Sequence, residues 1–343
     1  MKNHFLVKRD SLFFWLFALI FILVAGFRGG TRDTDVYKYV YDHIYNFPLS
    51  SIGSFYDATG MEIGYGIISY IFQSFDFSFS TLLLLFSFLT FLFLKKTSDN
   101  LEINAFFVIL CYLPVFYANH QLMQMRQGFA VAAVYCGISY IILNKNKLLA
   151  WFLFLIGFFI HNVVFALIIT FFKYINNLIN TEKINFYIKS ILFVIIVFLF
   201  CRLITDFGLS ALTDRIGNYS DTDYSEQRSF FHPANIRSVL LLFIFLIFRS
   251  KVKINKIYDY LVLLYSIGLG FRLGFYDFLI LSGRISTLFT FSEIFIVPFL
   301  FKLRLKTLYS YIVILLYFLI NLYINLYYQV PFVVHDYFKQ IGS

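Results

Sequence analysis

Phe79-Ser-Thr-Leu-Leu-Leu-Leu-Phe-Ser-Phe-Leu-Thr-Phe-Leu-Phe-Leu94 carries no charge and stops at Lys95-Lys96. A run this close to the roughly 17 apolar residues that a short membrane crossing needs reads as a membrane helix with a basic end. The pattern recurs along the chain, at Ser11–Phe27, Leu101–Ala118, Gly128–Leu143, Leu148–Ile160, Asn162–Lys173, Ile188–Ile204, Ile236–Phe248, Ile257–Phe275, Arg284–Phe301 and Thr307–Tyr327. The fold these runs predict is all-α: a polytopic helical bundle of about eleven membrane crossings in one domain spanning residues 1–343.

Composition agrees. Only 14% of the 343 residues are charged and 60% are hydrophobic, with mean hydropathy +0.77. A soluble domain carries about a quarter charged residues, so this chain cannot cover itself with a water-facing surface. The net charge of +9 lies in short clusters between apolar runs. It therefore orients helices and points to no nucleic acid. Cys111, Cys136 and Cys201 sit inside apolar stretches with no CxxC or His/Cys metal spacing, as packing residues do.

Charge also sets the expected topology. Lys95–Lys96, Lys145 and Lys147, the lysines at 173, 183 and 189, the basic group from Arg249 to Lys256, and Lys302, Arg304 and Lys306 are expected on the cytoplasmic side. Satisfying all of them places the N-terminus inside, with Ser11–Phe27 a retained span, and the C-terminus outside. It makes Gly60–Phe75 an interfacial or re-entrant helix that does not cross. It folds Leu148–Lys173 into a hairpin turning at His161–Asn162; one long tilted helix is the alternative. Two loops, 28–70 and 205–235, then face outward. Asp33–Phe47 reads as an amphipathic surface helix, with Val36, Tyr37, Val40, Tyr41, Ile44 and Tyr45 on one face and Asp35, Lys38 and Asp42 opposite.

Charged groups at membrane depth are costly and mark function. This threading gathers Arg28, Arg32, Asp33, Asp35, Glu62, His120, Gln124, Arg126, Gln127, His161, Arg272 and Arg284 on the outer face. Each has a plainer reading. Arg28 and Arg126 would anchor at the interface, Glu62 and Asp33 would cap the helices they open, and His161 would be a hydrogen-bonded core residue. Their joint convergence favours a site. Several arginines over a lipid-lined cavity suit a lipid-linked phosphate or diphosphate, which guanidinium grips bidentately. Carboxylates and a histidine beside them suit a general base acting on a hydroxyl. Tyrosines suit sugar rings. No P-loop, GxGxxG or HExxH is present.

Three stretches then resemble the EpsG-like branch of bacterial polysaccharide polymerases, the O-antigen or Wzy-type enzymes. They are Arg28-Gly-Gly-Thr-Arg32-Asp-Thr-Asp35-Val-Tyr37 with Glu62-Ile-Gly64-Tyr65, then Met125-Arg126-Gln127-Gly128-Phe-Ala130, then Phe159-Ile-His161-Asn162. Gly283-Arg284-Ile285-Ser286 follows in order. Where the family usually has Lys-Ser or Ser-Ser after the histidine, this chain has Asn162-Val163.

The resemblance implies a membrane glycosyltransferase of GT-C-like architecture, in the bacterial inner membrane with its site facing the periplasm, serving lipopolysaccharide or other surface-polysaccharide synthesis. Donor and acceptor would both be undecaprenyl-diphosphate-linked oligosaccharides. A chain-length regulator and a flippase would be pathway partners, and no cofactor or metal is expected. Arg28, Arg126 and Arg284 would hold diphosphate, with Arg32, Gln127, Tyr37 and Tyr65 completing the binding set. His161 or Glu62 would be the base, with Asp35 in reserve. Two rivals remain open. Asp33-Thr-Asp35 is a DxD that suits a metal-dependent transferase using a polyprenyl-phosphate sugar. A flippase for lipid-linked sugars would also carry charged intramembrane groups, although it would want them through the whole depth.

Overall fold

In lipid a backbone must satisfy its own hydrogen bonds, which leaves helices or a closed barrel, and here helices form. The computed structural model describes residues 2–172, 185–206, 229–252, 256–301 and 307–341, and no strand occurs among them. In chain order the helices are α1 (Lys2–Gly26), α2 (Thr34–Asp42), α3 (Ile52–Thr59), α4 (Ile63–Ser74), α5 (Phe79–Asn100), α6 (Ala105–Leu122, with a π segment at Leu113–Tyr117), α7 (Met125–Ile142) and α8 (Lys147–Ile160). A 3-10 helix, Asn162–Phe171, follows α8. Then come α9 (Phe186–Asp206), α10 (Pro233–Phe248), α11 (Lys256–Gly274), α12 (Leu279–Thr290), α13 (Glu293–Phe301), α14 (Thr307–Ile324) and the short α15 (Val333–Tyr337).

Among the described residues, five helices are long and apolar enough to cross a membrane: α5, α6, α7, Phe186–Thr205 of α9, and Ile312–Gln329, which continues α14 through a π segment. Leu281–Thr290 and Glu293–Phe301, bent by 41° at their break, make a sixth if the pair is one span. Other expected crossings fall on shorter apolar helices, Asp10–Gly26, Lys147–Ile160 and Asn162–Phe171. The 16-residue α10 is likewise short, and α11 carries Asp259 and Arg272 within its length. The helical class thus holds, at a coarser count than eleven. Residues 60–75 carry only the 12-residue α4, which rises about 18 Å against a hydrocarbon core of about 30 Å. Most of the loop 205–235, and Lys173, Lys183, Lys253, Lys302, Arg304 and Lys306, lie outside the described residues.

The chain divides into two compact units, 1–168 with 306–343, and 169–305. In the first, α7 is the hub. Its face Gly128–Ile138 is buried throughout, rich in Ala and Gly, and packs against α5 and α8. Small side chains let membrane helices approach closely where hydrophobic contrast with lipid is absent. The Asn325 side-chain amide donates to the carbonyls of Pro114 and Val115 (3.2 and 3.1 Å), in the π segment that Pro114 helps to create. The second unit is built around α11, buried from Tyr260 to Gly270, with α9, α10, α12 and α13 against it.

The amphipathic stretch after Asp33 is present but shorter than expected. Tyr37, Val40, Tyr41 and Ile44 form its buried stripe, at the i, i+3, i+4, i+7 spacing of one helical face. Val36 and Tyr45, expected on the same face, are 51% and 58% exposed. Val36 lies about 100° round from Tyr37, and the helix ends at Asp42 before a 3-10 turn (Ile44–Asn46) swings Tyr45 outward.

Candidate active site

Three helix ends meet in the first unit. Glu62 stands extended at the head of α4, Arg126 lies in the first turn of α7, and His161 follows the last residue of α8. The His161 backbone is extended (φ −156°, ψ 107°), which ends the α-helix and begins the 3-10 segment. The expected break at His161–Asn162 is therefore real. Gly64 lets α4 reach the end of α8, because a Cβ there would sit 2.5 Å from the Phe159 carbonyl oxygen.

Glu62 is the centre of the cluster. Its side chain does not cap α4. One oxygen, Oε2, accepts from Arg126 Nη1. The other, Oε1, lies 3.1 Å from His161 Nδ1 and accepts the Asn162 backbone N–H at 3.0 Å. Burial alone pushes the carboxyl upward, yet the His161 hydrogen bond, the Arg126 charge and the Asn162 N–H outweigh it and hold Glu62 down at about 2. Arg126 in turn lies over the rings of Tyr37 (5.2 Å) and Tyr65 (5.9 Å), an arrangement in which planar guanidinium is favoured over ammonium. The Tyr65 hydroxyl donates to the Tyr37 carbonyl at 2.8 Å, tying α4 to α2. The side chains of Glu62, Arg126 and His161 are 10%, 12% and 12% exposed, so the cluster is nearly dry but reachable. Asp33, like Glu62, makes no cap for its helix.

With Nδ1 donating to Glu62, the neutral His161 ring carries its lone pair on Nε2. That is the arrangement of a base oriented by a carboxylate. A carboxyl held near 2 and gripped by three donors is a poor proton acceptor at neutral pH.

Arg28 is 3% exposed. Its Nε donates to Thr34 Oγ1 at 2.8 Å and its Nη1 to the Gln121 carbonyl, while the Thr31 hydroxyl donates to the Leu122 carbonyl. Those carbonyls end α6, where the helix leaves acceptors unsatisfied and its dipole favours a cation. Arg28 thus acts as a side-chain cap, with Nη2 left over. Burial lowers its guanidinium to about 10, so it stays charged at neutral pH. Gln127 is buried on α7. Arg32 and Asp35, expected in the same site, are exposed and face a separate cleft toward the C-terminal segment, with Arg32 3.6 Å over the Phe332 ring. Arg284 lies on α12, in the second unit. Among the described residues no group of three or more His, Cys, Asp or Glu could hold a metal ion.

Comparison with protein families decides what kind of membrane protein this is. The EpsG family matches residues 11–338. The chain belongs to the EpsG family. EpsG-like proteins are members of the Wzy-type polymerases, so this EpsG-family chain is a polysaccharide-polymerase-like membrane protein. No curated protein and no solved structure matches it.

Within this EpsG-family chain, the departure at residue 162 has a physical reading: Asn162 serves through its backbone N–H, which is independent of side-chain identity. Sequence reasoning passed over Thr34, whose hydroxyl accepts from Arg28, Gln121, whose main-chain carbonyl does the same, and Thr31, whose hydroxyl donates to the Leu122 carbonyl. It also passed over the Arg237–Glu293 pair in the second unit, for which Glu293 inside an apolar run was the signal.

Proposed function

We propose that the chain polymerises undecaprenyl-diphosphate-linked oligosaccharide repeat units on the periplasmic face of the bacterial inner membrane. The growing glycan passes from its lipid carrier to the non-reducing end of a new repeat unit. The observation that carries this is the Glu62 carboxylate joining Arg126 to His161 at the edge of a membrane bundle, in a chain of this family. An acceptor hydroxyl attacks the anomeric carbon of the donor's reducing-end sugar. The new glycosidic bond forms as the bond to diphosphate breaks, and undecaprenyl diphosphate leaves.

In this reading His161 Nε2 takes the hydroxyl proton, and Glu62 is a positioning residue that fixes the imidazole. Arg126, with Arg28, stabilises the charge that develops on the departing diphosphate. Geometry favours His161 over Glu62 and Asp35 as base. Glu62 already accepts three hydrogen bonds, and Asp35 faces another cleft.

The test is genetic. The gene is deleted in its host and restored with wild type or Arg126→Ala at matched membrane levels, and the surface polysaccharide is run on a gel. Wild type is expected to restore a ladder of long chains, and Arg126→Ala to leave single repeat units. A deletion strain in which no repeat unit reaches the surface would move the function to export and overturn the reading.

A further inference from the structure

The first loop and the C-terminal segment enclose a cleft that the Glu62 cluster does not use. Gly29 N–H donates to the Tyr337 carbonyl and Gly30 N–H to the Lys339 carbonyl, both at 2.9 Å, and the Tyr337 hydroxyl donates to the Val24 carbonyl at 3.1 Å. The approach requires a glycine at Gly29 and leaves little room at Gly30. A Cβ on Gly29 would lie 2.1 Å from the Lys339 carbonyl oxygen, and one on Gly30 would lie 3.1 Å from that of Gln340 and 3.4 Å from Asp35 Oδ1.

The cleft is a cavity of about 400 Å³ walled by Arg32, Asp35, Asp336 and Lys339, with Phe332 and Gln340 completing it. Its volume falls in the roughly 300–1,000 Å³ range of small-ligand sites. Its charges balance, with Asp35 and Asp336 against Arg32 and Lys339. Asp336 already accepts from Lys339 at 2.6 Å, so neither a bare phosphate nor a bare cation finds a uniform field. A neutral polyol suits both signs, because each hydroxyl donates to a carboxylate and accepts from a cation or the Gln340 amide.

We propose that this cleft is a saccharide subsite, separate from the Glu62–Arg126–His161 cluster, that holds a hydroxyl-rich sugar of the glycan; this rests on the polymerase reading above. Asp35 is then a sugar-binding residue. It sits two positions before Tyr37, about 200° round the same helix, which turns it away from the face that lies under Arg126.

The test uses the full chain in lipid nanodiscs and, as probe, the lipid-free repeat-unit oligosaccharide released from the host's own surface polysaccharide. Binding is read by saturation-transfer NMR. Wild type and Asp42→Asn, on the exposed side of α2, are expected to bind alike. Asp35→Asn should weaken binding about tenfold or more, as loss of a charged acceptor does, and Gly30→Val should abolish it by closing the cleft. If Gly30→Val fails to accumulate, Asp35→Asn, which keeps shape, decides alone. Tighter binding of a multi-repeat fragment than of one unit would assign the subsite to the donor chain, and equal binding to the acceptor. Wild-type affinity in Asp35→Asn, or no binding by any variant, overturns the inference. Gels of the same strains separate the two claims. A wild type that builds no ladder sinks the polymerase reading. An intact wild-type ladder with unchanged binding and ladder length in the cleft variants sinks the subsite alone.

Discussion

Each of the two units holds a buried arginine–glutamate pair, and the two are used differently. Arg126–Glu62 joins three helix ends, and the second carboxylate oxygen takes His161 and a backbone N–H. Arg237–Glu293 joins α10 to the head of α13, just past the 41° bend, with Glu293 only 1% exposed. The same ion pair is therefore a clasp in one unit and the support of an imidazole in the other. Buried charge alone does not make a site. A titratable group held by it, at a place that ligand can reach, does.

The largest effect that would break this comparison is at the histidine. His161→Ala should cut polymer formation by roughly 10²–10⁴-fold, the span of one general base. Thermal stability in detergent should fall only by about 1–3 kcal/mol, since Glu62 keeps Arg126 and the Asn162 N–H. The ladder from purified protein and lipid-linked repeat units reads the first, and a melting curve the second. Full activity in His161→Ala would end its assignment as base.

Glu62→Gln should cost less, about 10–100-fold, because the amide oxygen still accepts the Asn162 N–H while the grip on Nδ1 weakens. Its pH signature is distinctive. The folded carboxyl sits at about 2, below its ordinary 4.5. Its contribution to stability is therefore complete above about 4.5 and is lost as pH falls toward 2. Unfolding midpoints measured across that window should slope with pH in wild type and flatten in Glu62→Gln. Equal slopes would mean that the carboxylate is not held as described.

The second-unit pair sharpens the contrast from the other side. Replacing both members with apolar groups, Arg237→Met with Glu293→Leu, should be neutral or stabilising by about 1–4 kcal/mol, whereas Glu293→Leu alone strands a buried cation and should cost about 3–5 kcal/mol. Polymer formation should follow stability in both. A double variant that melts like wild type yet builds no ladder would show that this pair also takes part in the chemistry.

How much of this was legible in the sequence depends on where each residue finds its partner. Glu62, Arg126 and His161 stood out because each interrupts or ends an apolar run, where charge is expensive, and the structure brings all three together. Arg28 looked like the same kind of residue. Its partners are the main-chain carbonyl of Gln121 and the hydroxyl of Thr34, and a main-chain acceptor about ninety residues away leaves no mark in a pattern. Arg32 and Asp35 were adjacent in sequence to Arg28 and Tyr37, so proximity put them in one site. Helical geometry then turned Asp35 away from Tyr37, because two steps along a helix reach nearly its opposite side, while Arg32, ahead of α2, lies over the Phe332 ring. The cleft they do line depends on Asp336 and Lys339, which nothing local connects to residue 35. The number of crossings was the least legible feature, because hydropathy finds apolar runs but α8, α10 and the 3-10 segment after His161 turn out shorter than a bilayer.

The smallest effect concerns the floor beneath Arg126. Tyr65 contributes a ring under the guanidinium and a hydroxyl that donates to the Tyr37 carbonyl. Tyr65→Phe keeps the first and removes the second. It should cost about 1 kcal/mol of stability, the net worth of a buried hydrogen bond, and leave the ladder intact at matched protein levels. Tyr65→Leu removes the ring as well, so the guanidinium loses a π face worth about 0.5–2 kcal/mol and the end of α2 loses its tie to α4. If the phenylalanine variant behaves like wild type in the ladder while the leucine variant shortens it, the ring positions Arg126 and the hydroxyl only holds helices. If both variants shorten it equally, the hydroxyl is what matters, and α2 rather than the aromatic stack sets where the guanidinium points.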